Sequence, residues 1–142
     1  MTTAPGTRTG SGPGRLLVAV YAVLALSATA RALVQLLTKG DEAPVAYVLS
    51  LLAGIVYGVA TVALARRGTR ARQVAWLTIG TELVGVLVVG ALSLADPALF
   101  PDDTVWSRFG QGYGFVPLVL PVLGLLWLLR SGRPGRRIAP SE

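Results

Sequence analysis

The chain has 142 residues, the size of one domain, of which 53% are hydrophobic and 14% charged. Its mean hydropathy is +0.63. Soluble domains carry about 25% charged residues, so a soluble fold of this size could not cover its apolar surface. Cys and His are absent, which excludes disulfides, thiolate nucleophiles, imidazole bases and most zinc or haem sites. The net charge of +6 lies in short segments beside long apolar blocks. It therefore reads as a topology signal, not as a nucleic-acid footprint. No cofactor is expected.

Residues 1–15 are rich in Thr, Gly, Pro and Ser, a composition that cannot bury a core and predicts a disordered tail. The first expected span is 16–37. Its 22 residues would rise roughly 33 Å as a helix, enough for a hydrocarbon core of about 30 Å. Arg15, the apolar run from Leu16 and the small residues Ala28-Thr29-Ala30 imitate a signal peptide. The apolar pattern runs on through Leu37, longer than a signal core, which favours an uncleaved span. The second and third expected spans are 45–65, without charge, and 74–95, which contains Glu82. Between them lies the loop Arg66-Arg67-Gly68-Thr69-Arg70-Ala71-Arg72. The fourth span is expected at 109–129, with a basic disordered tail at 130–142. The expected fold is thus all-α, a small four-helix bundle of transmembrane helices.

Orientation follows from the basic residues in short loops. With four spans, Arg8, Arg15, Arg66, Arg67, Arg70, Arg72, Arg130, Arg133, Arg136 and Arg137 share one side, and Lys39 and Arg108 the other. The ten-residue side is expected to be cytoplasmic. That places both termini inside and the protein in a bacterial inner (cell) membrane. Trp76 and Trp127 are expected as anchors near the inner interface, Trp106 and Tyr113 near the outer one.

Arg31 and Glu82 stand out, because a charge at membrane depth costs about 2.5–3.5 kcal/mol on the insertion scale. Ser27, Arg31, Gln35 and Thr38 share one face of the first span, and Thr78, Glu82, Gly85 and Ser93 a face of the third. These polar stripes are expected to meet each other or a small wet cavity. The pair would then be either a structural ion pair or a site where Glu82 takes up a proton or cation beside Arg31. Their axial offset of roughly 10 Å is wide for direct contact. Ser50, Gly54 and Gly58 form a small-residue series for close helix packing. Pro117 and Pro121 are expected to kink the fourth span. Asp103 is placed to cap a helix beginning near Thr104, with Trp106, Phe109 and Tyr113 on its apolar face.

The stretch Asp102-Asp103-Thr104-Val105-Trp106-Ser107-Arg108-Phe109-Gly110, followed by Tyr113-Gly114-Phe115-Val116-Pro117-Leu118-Val119-Leu120-Pro121, resembles short integral membrane proteins of unknown function from high-GC bacteria. That resemblance implies no activity and carries over no functional residue. Small multidrug transporters also have four short spans, but their essential acid lies in the first helix. Here Arg31 stands in the first span and the acid, Glu82, in the third. No catalytic triad, phosphate loop or metal cluster is present. The expected function is non-enzymatic: a small subunit or homo-oligomer that acts by helix association in the lipid bilayer. The alternative is a small transporter or proton-coupled permeation protein using Arg31 and Glu82.

Overall fold

The computed structural model describes residues 11–131. Arg8, Arg133, Arg136 and Arg137, and most of the two expected tails, lie outside that range. The described residues are all-helical: α1 is Ser11–Lys39, α2 Pro44–Ala65, α3 Thr69–Ala95 and α4 Val116–Ser131. Short 3-10 segments at Pro97–Leu99 and Ser107–Tyr113 join α3 to α4. α1, α2 and α3 are long and apolar enough to cross a membrane. The segment 107–113 and α4 would count as a fourth crossing if taken together.

Two boundaries differ from the sequence reading. α1 begins within the expected tail, because Pro13 falls in its first turn, where the missing amide is tolerated. α4 begins at Val116, not Phe109. Arg108, Phe109, Gly110, Gly114 and Phe115 all have positive φ, which no right-handed helix accommodates. The 3-10 segment therefore meets α4 at 99°. At 16 residues, α4 is only about 24 Å long, whereas α1, with 29, reaches about 43 Å.

The prolines act differently from expectation. Pro117 lies in the first turn of α4, so it starts the helix without kinking it. Pro121 lies inside α4 and removes the amide that would bond the Pro117 carbonyl. The sharp bend belongs to the left-handed residues before the helix.

The helices run alternately up and down. α1 and α2 form a tight hairpin that leaves no room for a side chain at Gly54. A Cβ there would stand 3.0 Å from the Thr29 amide nitrogen and 3.2 Å from its Cα, so a small residue is required. Gly58, one turn on, meets nothing within 4 Å. At the end holding the α2–α3 turn, the Trp127 ring lies over Gly14. Arg72 donates there to the Leu128 carbonyl and to Ser131 Oγ (3.3 Å). It thereby satisfies one carbonyl that the end of α4 leaves open.

The outer surface is aliphatic, with Leu26, Leu37 and Leu77 each more than 70% exposed. The interior holds polar and aromatic residues: Tyr21, Tyr57 and Glu82, with Tyr47 in the first turn of α2, are fully buried. This arrangement suits a lipid environment, in which the inward face carries the polar groups.

Candidate functional site

Glu82 is the midpoint of α3 and is completely buried. Tyr21 of α1 donates a 2.6 Å hydrogen bond to its Oε1, across the bundle. Its Oε2 is buried without a partner among the described residues. The Tyr21 ring leans on that of Tyr57 from α2, with centroids 6.1 Å apart and planes tilted by 51°. The Tyr57 hydroxyl accepts a 2.8 Å hydrogen bond from Trp106 Nε1. Three helices and the segment before α4 thus converge on one carboxyl group.

Trp106 is where the structure departs furthest from the sequence. It was expected at the interface; instead it is 4% exposed, its ring packed against Gly85. A Cβ at Gly85 would stand 2.6 Å from that ring. Residues 104–107 are all buried, so this segment folds back into the bundle. Irregular backbone at membrane depth survives only if the protein satisfies its polar groups, and here six consecutive amides have acceptors. Thr104 N–H donates to Ser107 Oγ, Val105 N–H to Ser50 Oγ, Trp106 N–H to Thr104 Oγ1 and Arg108 N–H to Ser93 Oγ. Ser107 N–H and Phe109 N–H bond the carbonyls of Thr104 and Trp106. Asp103 caps no α-helix; its own amide donates to the Asp102 side chain. Phe109 fills the space over Gly90.

The expected Arg31–Glu82 pair does not form: among the described residues the ion pairs are Lys39–Asp102 (3.4 Å) and Arg108–Asp103 (3.6 Å). Arg31 is exposed. The inward face of α1 is Leu17, Tyr21, Leu24, Ala28, Ala32 and Gln35. Ser27, Arg31 and Thr38 therefore point outward, and of that stripe only Gln35 turns in, its Oε1 buried without a partner. The helical period placed these residues within one broad sector but could not say on which side of it the neighbour lies. The α3 stripe does face inward: Glu82 meets Tyr21 of α1, while Gly85 holds Trp106 and Ser93 accepts the Arg108 amide of the returning segment. Thr78 is half-buried and satisfied by the Val74 carbonyl at 2.8 Å.

The small-residue series on α2 divides into three roles. Ser50 receives the Val105 amide, Gly54 seats α1, and Gly58 is open. Of the expected anchors, Trp76, Tyr113 and Trp127 are half-buried. Sequence reasoning missed Tyr21 and Tyr57. The available signal was Tyr21 on the apolar face of a helix with a buried acid elsewhere, since a phenol can bury its ring and still donate to that acid.

At the opposite end from the α2–α3 turn, Tyr47 donates to Asp102 Oδ2 at 2.8 Å, beside Lys39. The Tyr47 bond, helped by the Asp103 amide and Lys39 and partly opposed by burial, holds the Asp102 carboxyl below the usual carboxylate range. A polar cavity of about 230 Å³ lies nearby, lined by residues including Arg31, Thr104, Arg108 and Gln111. Among the described residues no three of His, Cys, Asp and Glu gather as a metal site.

Chemically, the centre offers one carboxyl group with one donor on Oε1 and a buried Oε2 that no described residue meets. It lacks a nucleophile–base pair. Comparison with known proteins finds no matching family model, no matching curated protein and no matching solved structure.

Proposed function

We propose that the chain is a non-enzymatic, multi-pass inner-membrane protein that works by association, as a small subunit or a homo-oligomer. In this reading there are four crossings, and the Arg66–Arg72 turn lies on the cytoplasmic side. The excess of arginine at that end supports the orientation. The observation that carries the association is the outward face of α1, where Arg31 and Ser27 lie one turn apart, both exposed. Arg31 borders the polar cavity of Asp103, Thr104, Arg108 and Gln111 but forms no ion pair among the described residues, and an uncompensated guanidinium at membrane depth costs about 2.5–3.5 kcal/mol. A second chain presenting a carboxylate or carbonyl there removes much of that cost, and polar contacts of this kind hold membrane helices together.

Because the chain has no cysteine, Ser27→Cys reports directly on what the face meets. The expected result in native membranes is a disulfide-linked homodimer or, with a bifunctional reagent, a discrete heavier adduct. Arg31→Leu should remain folded and shift the protein towards monomer. Wild-type protein that is only monomeric, together with a Ser27→Cys variant that yields no dimer and no adduct, refutes the reading.

A second reading is favoured by the vacant Oε2 of Glu82. An acid at mid-membrane without a counter-charge is suited to binding a proton or cation. In proteoliposomes, Glu82→Gln should then abolish a proton or cation flux that the wild type supports. Equal flux in both, or none in either, excludes it.

A further inference from the structure

Between α2 and α3 the surface opens into a groove of about 640 Å³. Its floor includes Gly58, Val59 and Val62, and its rim at the α2–α3 turn is Arg66, Arg67 and Arg70. From Gly58 to Arg66 the groove follows α2 for roughly 12 Å. Gly58 leaves it open, since an added Cβ would meet nothing within 4 Å.

The three arginines are exposed and form no ion pair among the described residues. No acidic residue lines the groove. Arg72, by contrast, is engaged with the end of α4. At the same turn α3 starts on Gly68 with no side-chain cap and no acid in its first turn, so its first amides also favour an anion. α2 ends there too, and its opposite dipole end offsets part of this effect, leaving the guanidinium groups to supply the selectivity.

An apolar channel along a membrane helix, closed at one end by three unpaired cations, matches an amphiphile with an anionic head and a hydrocarbon tail. We infer that this groove is a binding site for one anionic glycerophospholipid, with its phosphate at Arg66, Arg67 and Arg70 and an acyl chain lying over Gly58. A second protein helix would fill the apolar part but leave the arginines without counter-charge. The inference requires α2 and α3 to lie in a bilayer; it does not depend on what Arg31 meets.

The test uses the full chain in detergent, titrated with phosphatidylglycerol or phosphatidylcholine of identical acyl chains and read by native mass spectrometry. The wild type should retain one phosphatidylglycerol in clear preference to phosphatidylcholine. Each arginine is expected to contribute roughly five-fold, so Arg66→Gln, Arg67→Gln and Arg70→Gln together should erase the preference. Gly58→Leu, which projects into open space, should reduce retention of both lipids while the melting temperature holds. Equal retention of the two lipids by wild type, or unchanged preference in the triple variant, overturns the inference. So does a Gly58→Leu variant that holds lipid normally, or one that instead breaks a dimer never found to carry lipid.

Discussion

Trp106→Ala should cost about 3–5 kcal/mol of stability, the range for removing a large buried aromatic. The effect has two physical sources. The ring fills the space over Gly85 within the main hydrophobic cluster, and its removal leaves a cavity there. Its loss also leaves the Tyr57 hydroxyl without the donor that Trp106 Nε1 supplies. The segment that Trp106 anchors already holds Arg108 and Phe109 in left-handed conformations, each of which costs on the order of 1–3 kcal/mol. Once the anchor is gone, residues 104–113 should become protease-accessible at temperatures where the helices remain intact. Thermal unfolding in detergent with limited proteolysis reads both effects. A loss below about 1 kcal/mol with unchanged protection would show that the segment does not depend on the bundle.

Tyr21→Phe is expected to destabilise by about 1–3 kcal/mol, because it strips the sole donor from a fully buried carboxyl group. Glu82→Leu should also be destabilising, since it leaves the Tyr21 hydroxyl without an acceptor. The double variant Tyr21→Phe with Glu82→Leu should recover part of the combined loss. Replacing both partners by apolar groups of similar shape removes the desolvation cost that each single change exposes. A coupling energy of about 0.5–3 kcal/mol is the range for residues in contact, and membrane hydrogen bonds sit towards its lower part. Strictly additive losses in a melting cycle would mean that the bond contributes nothing to stability. Glu82 would then be retained for something other than folding, which strengthens the proton- or cation-binding reading.

The two predictions describe one device from two sides. The tyrosine on α1 reaches the acid on α3, and the tryptophan of the returning segment reaches the tyrosine on α2. Polar groups that would be expensive in hydrocarbon become the contacts that hold three helices and a loop at one height. Arg31 is left outside this arrangement, and for that reason it is the residue through which a second chain is proposed to bind.

Hydropathy by itself determined the helical class and the placement of α1, α2 and α3, because apolar blocks of about 20 residues have few alternatives to a membrane helix. It also identified Glu82 as buried, since a carboxyl group in such a block turns inward. The small residue at Gly54 was legible as a packing site for the same reason. Only the tertiary structure decided the partner of Glu82, because helical period gives the angle of a side chain and not the identity of what stands opposite. A tyrosine hydroxyl among apolar residues gave no contrast in the sequence, whereas Arg31 gave much and drew the pairing to itself. The return of residues 104–113 into the bundle was equally hidden. Ser, Arg, Gln and Gly in that stretch, interleaved with Trp106, Phe109 and Tyr113, read instead as a helix lying in the membrane interface. The burial of residues 104–107 depends in part on Ser50 and Ser93, more than ten residues away in sequence, which accept the Val105 and Arg108 amides.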